Sequence, residues 1–337
     1  MNHLETINQL ENPKTMGLGR IKDIMQDSQV TINDINKSCR MYEFVNDTGH
    51  AKRICYHLFE GIELTFQDVS LEEITHHAQP MEGLFEIYYC HDGRIECDFT
   101  NGKYLYLNPN DITICWKRQQ GYQHSSYFPS SKYQGISLAV YVPKAQAAVD
   151  AILGTGKLDL TALCNRFCHE GDYGVVSRLE SHLSQAFASF YDAPKELAPS
   201  YYRVKAIELL VLLHSAAPEI NIIRSCYNKQ QVDIVKQVHE ELMQHITNKE
   251  TIDDIALRYH IPSTSLKKCF KGVYGITMYQ FIKQNRMQRA ASLLIKSNDN
   301  IVEIARQVGY ENGSKFSVAF AQVMGVKPSE YRRSHKE

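Results

Sequence analysis

Apolar residues along this chain change their spacing twice, and the changes outline its elements. Residues 1 to about 40 are polar, with room for a few helical turns and no readable chemistry. From about Cys55 to Val142, apolar and polar positions alternate over short stretches: Ile62, Leu64 and Phe66 in one, Ile112, Ile114 and Trp116 in another. A period of two is that of a strand with one buried face. Phe85 to Cys90 and Ile95 to Phe99 flank an Asp92-Gly93 pair, which predicts a β-hairpin. Many short strands with turn residues between them predict a small barrel or sandwich, of which a jelly-roll barrel is the choice made here. Beyond Pro143 the period becomes helical. Val175, Leu179, Leu183 and Phe187 can share one face, and Val204, Ile207, Leu210 and Val211 another, with Lys205 and Glu208 opposite. Two such helices either cap the barrel or form a dimer seam. A linker is expected between Ala217 and Gln231.

The last hundred residues hold the same helical pattern twice. Thr251, Ile252, Asp254, Ile255, Ala256 and Tyr259 recur as Asn300, Ile301, Glu303, Ile304, Ala305 and Val308, a constant offset of forty-nine. Leu266, Phe270 and Gly275 recur as Phe316, Phe320 and Gly325 at an offset of fifty, so the second copy has one more residue in its turn. In each copy a capping residue with an acid three positions on starts a short helix. A turn near Ile261 or Gly309 follows, and a second helix opens with small polar residues: Ser263, Thr264 and Ser265, or Asn312, Gly313 and Ser314. This is a helix-turn-helix, present twice.

Charge gives the repeat a partner. If Leu266 and Phe270 face inward, Thr264, Lys267, Lys268 and Lys271 face outward; the outward set of the second copy is Gly313, Ser314, Lys315 and Val318. A small, polar, positive helix N-terminus suits the acceptors and phosphates of a major groove, so double-stranded DNA is the expected partner. From Thr251 to Glu337 there are fourteen Lys and Arg against seven Asp and Glu, whereas the whole chain has a net charge of -1. A basic module on an acidic body is the asymmetry of a nucleic-acid binder. The first copy, with more lysines, is expected to supply more of the affinity.

These residues resemble the AraC/XylS transcriptional regulators. The likeness covers roughly the last hundred residues: Ile301, Gly309, Tyr310, Ser314, Phe316, Phe320, Gly325, Pro328, Tyr331 and Arg332 match the family signature, and Tyr279 to Leu294, with Arg286, Ala290, Leu293 and Leu294, matches its connecting helix. The resemblance implies two helix-turn-helix units on one long helix, reading successive major grooves about 34 Å apart. It places base-reading positions on Thr264, Lys267, Lys268, Ser314, Lys315 and Val318, and Ser263, Ser265, Lys271, Arg286, Asn312 and Gly313 complete the expected DNA-binding set. It also implies RNA polymerase as a partner, a small-molecule effector, a homodimer and, as the commoner outcome, activation. The chain departs from the family at Val318 and Ala321, where basic residues are common. The stretch from Ile62 through Glu86 and Gly93 resembles the sensor domains of siderophore-responsive members, the pyochelin and yersiniabactin regulators.

Composition sets bounds. Hydrophobic content of 43% and charged content of 22% are those of an ordinary globular protein. No apolar run reaches eighteen residues and Asn2, His3 and Glu5 open the chain, so no membrane span or signal peptide, and a cytoplasmic location, are expected. Nine cysteines without framework spacing fit reduced thiols. Cys164 and Cys168 share one face of an expected helix, as a buried pair or as a soft-metal or redox pair, and the four-cysteine cluster of alkylation-repair members is missing. Metal-binding cupins use two histidines and a glutamate followed by a further histidine. His76, His77, Glu86, His91 and His124 offer these types, but adjacent His76 and His77 would face opposite ways on a strand, so no metal, cofactor or enzymatic activity is expected, and a metal-dependent cupin enzyme fused to the DNA-binding module is the alternative. Trp116, with Tyr88 and Tyr104 from neighbouring strands, is either core or the wall of an effector pocket. The expectation is a multi-domain α+β chain: an extension over 1–40, a cupin-like sensor barrel over 41–150, a helical segment over 151–225 and, over 230–337, an all-α domain of two helix-turn-helix units joined by a long helix.

Overall fold

The alternating stretches fold as strands and the periodic ones as helices, in two separate units, Met1–Cys226 and Tyr227–Glu337. The structure, a computed structural model, describes residues 29–77, 81–99, 103–116, 123–168, 175–178, 181–216, 227–247 and 250–335. The first unit holds strands β1 (Gln29–Asn36), β2 (Cys39–Asn46), β3 (Gly49–Phe59), β4 (Ile62–Ser70), β5 (Glu73–His77), β6 (Leu84–Gly93), β7 (Ile95–Phe99), β8 (Lys103–Leu107), β9 (Asp111–Trp116), β10 (Gln123–Tyr127), β11 (Tyr133–Tyr141) and β12 (Val175–Arg178). Its helices are α1 (Val142–Leu153), α2 (Leu160–Phe167), α3 (Ser181–Ala188) and α4 (Ala198–Ser215). An eight-stranded sheet runs in the order β1-β2-β3-β4-β11-β6-β9-β12, and β5 pairs with β10 and β7 with β8; all these pairings are antiparallel.

The two faces of the large sheet differ. One carries Ile62, Leu64, Phe85, Ile87, Ile112, Ile114, Trp116, Ile136, Leu138 and Val140, which form one core with Ala145, Leu163, Phe187 and Leu210 of the four helices. Positions one residue out of phase lie on the other face. There Tyr42, Phe44, Ala51, Val69, Cys90 and Tyr133 build a second core with Leu107 and Phe128.

Several expectations are corrected. Strands begin at Gln29, inside the stretch read as an extension. Asp92-Gly93 is not a hairpin turn: β6 stays paired with β11 out to Gly93, and β7 pairs with β8 instead. Gly93 has φ 77° and the site of its missing Cβ lies 2.0 Å from the Lys132 carbonyl oxygen, so glycine is required there for close approach and a positive φ, at the step from one sheet to another. Val175 lies not on a helix but on β12, which pairs with the edge of β9; Leu179 lies outside the described residues. On α4, Tyr202, Ala206, Leu209, Leu210 and Leu213 are buried while Val204 is 67% exposed and Val211 38%. That helix is apolar almost all round, so two stripes fit its sequence and only the neighbouring elements select one. Among the described residues no pairing joins β1 to β12, so the sheet is not closed into a barrel.

The second unit is helical: α5 (Lys229–Gln244), α6 (Ile252–Arg258), α7 (Ser263–Tyr274), α8 (Met278–Lys296), α9 (Ile301–Gln307), α10 (Gly313–Met324) and α11 (Pro328–His335). Both expected capping boxes form, Thr251 with Asp254 and Asn300 with Glu303. Both short helices also end alike. His260, at φ 51°, donates its amide to the Leu257 carbonyl, and Ile261 donates to Ala256. Gly309, at φ 83°, donates to Arg306, and Tyr310 to Ala305. The left-handed residue satisfies carbonyls the helix would leave open. Register is thus kept through Ile261 and Tyr310, and the additional residue of the second copy falls just after them.

Helix α8 serves both copies. Its Phe281 meets Phe270 of α7 with ring centroids 5.5 Å apart, while Met287, Ala290, Ala291 and Leu294 join Ile304, Ala305, Phe316 and Phe320 in the second core. Between these halves Arg286 donates from Nε to the Ile246 carbonyl oxygen at 2.8 Å, and its guanidinium lies 3.0 Å from where a Cβ on Gly309 would stand. It therefore touches the segment that leads from α5 into the first copy and the turn of the second.

His239 of α5 stacks on Tyr274 at 4.2 Å in the first core, and burial lowers its pKa to about 4. An unfolded histidine takes up its proton near 6.5. Stability from neutral His239 is therefore fully present above about 6.5 and is lost as pH falls from there towards about 4. Protection factors of α5 and α8 amides, with the intrinsic pH dependence of exchange divided out, should fall across that window, and His239→Phe should flatten the slope; an unchanged slope would mean that other groups set it.

Candidate nucleic-acid interface

Two exposed helix starts carry the expected contacts. In α7 the residues Leu266, Cys269, Phe270 and Val273 are buried, which turns Thr264, Lys267, Lys268 and Lys271 to solvent, as expected; Ser263 and Ser265 are half-buried. Cys269 belongs to that core, and burial pushes its thiol up to about 12, so it stays protonated. In α10, burial of Phe316, Ala319 and Phe320 leaves Asn312, Ser314, Lys315 and Val318 exposed and Gly313 half-buried. Asn312 is also the helix cap, its Oδ1 accepting from the amides of Ser314 at 2.9 Å and Lys315 at 3.0 Å. Its side chain is therefore committed to the helix before any ligand arrives.

The α7 lysines are not equivalent. Lys267 Nζ lies 3.2 Å from Asp253 Oδ1 of α6. Hydrogen bonds from Ser263 and then Lys267 hold the Asp253 carboxyl below the usual carboxylate range. A phosphate approaching Lys267 must compete with that carboxylate, while Lys268 has no ion pair among the described residues. The sequence reading missed Asp253. Its only signal is an acid in the first turn of α6, a position equally well explained by the helix dipole.

Arg286 differs from the other expected contacts. It is half-buried and bonded to Ile246, and it lines a cleft of about 550 Å³ between the two copies together with Tyr279, Gly309, Tyr310 and Lys315. Its geometry is that of a spacer between modules. Near the other end of α8, Arg332 of α11 donates to the Leu294 carbonyl at 3.2 Å and the Asp299 carbonyl at 2.6 Å, tying the last helix to the second core.

The expected effector trio does not converge. Trp116 packs edge-on against Phe85 at 5.7 Å, on the helix-covered face. Tyr88 pairs with Thr113 on the opposite face and donates to Glu86. Tyr104 belongs to a different sheet, opposite Asp98. Trp116 and Tyr88 therefore cannot wall one pocket, because neighbours in phase by an odd number of residues face opposite sides. The histidine set divides in the same way: His91 stacks on Tyr191 at 4.2 Å on the helix-covered side, away from Glu86. His76 pairs with His124 across β5 and β10, but the side chains of His76, His77 and His124 lie outside the described residues. Cys164 and Cys168 do converge, with sulfurs 3.7 Å apart in the core. Among the described residues no group of three His, Cys, Asp or Glu is placed to hold a metal ion, and no helix is long and apolar enough to cross a membrane.

Comparison with known proteins bears on the second unit. Residues 237–334 match the family described as "Helix-turn-helix domain". The chain is 37% identical over 92 residues to the uncharacterized HTH-type transcriptional regulator YisR of Bacillus subtilis (strain 168), covering 27% of this chain and 32% of that protein. It is 35% identical over 106 residues to the lactose operon transcription activator of Staphylococcus xylosus, covering 30% of this chain and 38% of that one. The chain thus spans about a third of the length of either relative. A solved structure, the C-terminal domain of AraT, a response regulator from Geobacillus stearothermophilus, is 31% identical and covers 31% of this chain and 87% of its own, with a TM-score of 0.30. With the doubled helix-turn-helix and its shared helix already in place, the second unit is a helix-turn-helix domain of the AraC/XylS type.

Proposed function

We propose that the chain is a sequence-specific DNA-binding transcriptional regulator. The observation that carries this reading is the pair of exposed helix starts, at Ser263 and Gly313, built on opposite halves of one helix. Helix α8 has 19 residues, so it spans about 28 Å at 1.5 Å per residue, a length suited to modules in successive grooves. Thr264, Lys267, Lys268, Ser314 and Lys315 are assigned base and backbone contacts, and Val318 an apolar contact. The names of the relatives as transcriptional regulators and activators support activation, for which RNA polymerase would be the partner. The first unit is assigned the sensing role: a cupin-like, effector-responsive half, with a siderophore as one candidate effector, and α4 as the seam of a homodimer in the cytoplasm. Effector binding would bias the chain between arrangements to which it binds with different affinity.

A second reading keeps DNA binding and makes the sensor a thiol switch. The 3.7 Å approach of Cys164 and Cys168 favours it. Hydrogen peroxide would take two electrons from the thiols, closing one S–S bond and leaving as two waters. Peroxide should then change operator binding in the native protein and not after Cys164→Ser; the same response in both would dismiss the pair.

DNA selected from a random duplex library should contain two short blocks one helical turn apart. On that operator Lys268→Ala should weaken binding by roughly 1–3 kcal/mol if it reads a base. Equal loss on all sequences, with a shallower salt dependence, would make it a phosphate contact. Arg286→Lys separates the two roles of that residue. It keeps the charge, so a direct phosphate contact would survive; as a spacer it should lose affinity for the selected operator and tolerate altered block spacing, measured by gel shift on operators one base pair longer or shorter.

A further inference from the structure

The face of the large sheet away from the helices carries a buried polar row. Pairing across five strands aligns His57 with Glu63, Glu63 with Ala139, Ala139 with Glu86 and Glu86 with Cys115. The next row in phase is Cys55, Thr65, Ser137, Tyr88 and Thr113. Glu63 is 5% exposed, Glu86 3%, and Ser137 and Thr113 7% each. Burying an ionised carboxylate without hydrogen bonds is costly, so such groups are normally paired.

Glu86 is paired, accepting from Tyr88. Glu63 is held more weakly: among the described residues it accepts no hydrogen bond, and its ion-pair partner, His57 Nδ1, itself buried without a hydrogen-bond partner, stands 3.8 Å away, beyond hydrogen-bond reach. In the row between the two glutamates stands Ala139, whose side chain is a methyl group. Adjacent strands are about 4.8 Å apart, so the two glutamate positions, two strands apart, are separated by about 10 Å.

We infer that this row is a binding site for a small organic cation, an ammonium or guanidinium group held by Glu63 with Glu86 as the second acceptor. A cation placed there supplies the hydrogen bonds that Glu63 lacks. The alcohols of Thr65 and Ser137 flank it on the next row. An anionic ligand would place like charges together, and a neutral hydroxylated ligand could donate to Glu63 but would leave its charge uncompensated. The inference rests on reading the first unit as the sensing half of the chain.

The test uses the full chain, with agmatine and putrescine as probes and 1,4-butanediol as the uncharged control, by calorimetry and then by operator binding. Saturable binding of either amine, absent for the diol and at least tenfold weaker in Glu63→Gln, is the expected result. The exposed Glu330→Gln should bind as the native protein does. Ligand-free Glu63→Gln should melt at or above the native temperature; a clear drop would mean that Glu63 and His57 are a structural pair, and would overturn the inference. So would the failure of both amines to bind the folded native protein, or equal binding to Glu63→Gln. Amine binding that leaves operator affinity unchanged would retain the site and remove the sensing role assigned to the first unit.

Discussion

Helix α8 belongs to two cores at once, and the geometry of the second unit depends on that sharing. Phe281 is part of the aromatic cluster of the first copy, and Leu294 is fully buried in the second. Each copy alone is a pair of short helices too small to bury its own apolar stripe. A helix that walls both fixes their separation and their rotation, since a rigid α-helix advances by 1.5 Å and about 100° per residue. Arg286 sits where the two halves meet, bonded to Ile246 and crowded against the turn at Gly309. It is charged and lies on the basic unit, yet its neighbours give it a mechanical task.

The same economy governs charge at the interface. Lys267 is held by Asp253 before DNA arrives, whereas Lys268, one residue on, is not. Phosphate contact at Lys267 exchanges one anion for another, so its net gain is smaller than that of an unpaired lysine. An exposed pair of this kind contributes little to folding. On the proposed DNA-binding reading its effect would fall on binding, where it would lower attraction to arbitrary phosphate.

In the first unit the constraint is that one sheet must bury both faces. The helix-covered face does so with aliphatic and aromatic residues, including the lone tryptophan. The other mixes an apolar end, around Phe44 and Tyr133, with a polar row around Glu63 and Glu86. A sheet buried on both sides by apolar residues is a scaffold. Buried carboxylates need partners, so it is this face, and not Trp116, on which the proposed sensing role rests.

The doubled helix-turn-helix was legible from sequence because its information is local. A capping box is decided within four residues, and the stripe of Ile255, Ala256, Leu266 and Phe270 within one short helix pair. Alternation at Ile62, Leu64 and Phe66 likewise specified a strand and its apolar face, though not that the opposite face, with Glu63 and Gln67, is buried as well. What failed depended on partners far along the chain. Asp92-Gly93 has the composition of a hairpin turn, but β6 is held by β9 and β11, and the local preference yields to those pairings. Val204 and Val211 share a helical face in the sequence, and only the elements packed on α4 turn that face outward. Tyr88 and Trp116 each looked like a pocket wall until the strand register set them on opposite faces. The sequence by itself determined the elements, the repeat and the basic second unit. Tertiary structure decided which faces meet, and so what Arg286, Asp253 and Glu63 can do, because register and packing are fixed by contacts between residues that are distant in the chain.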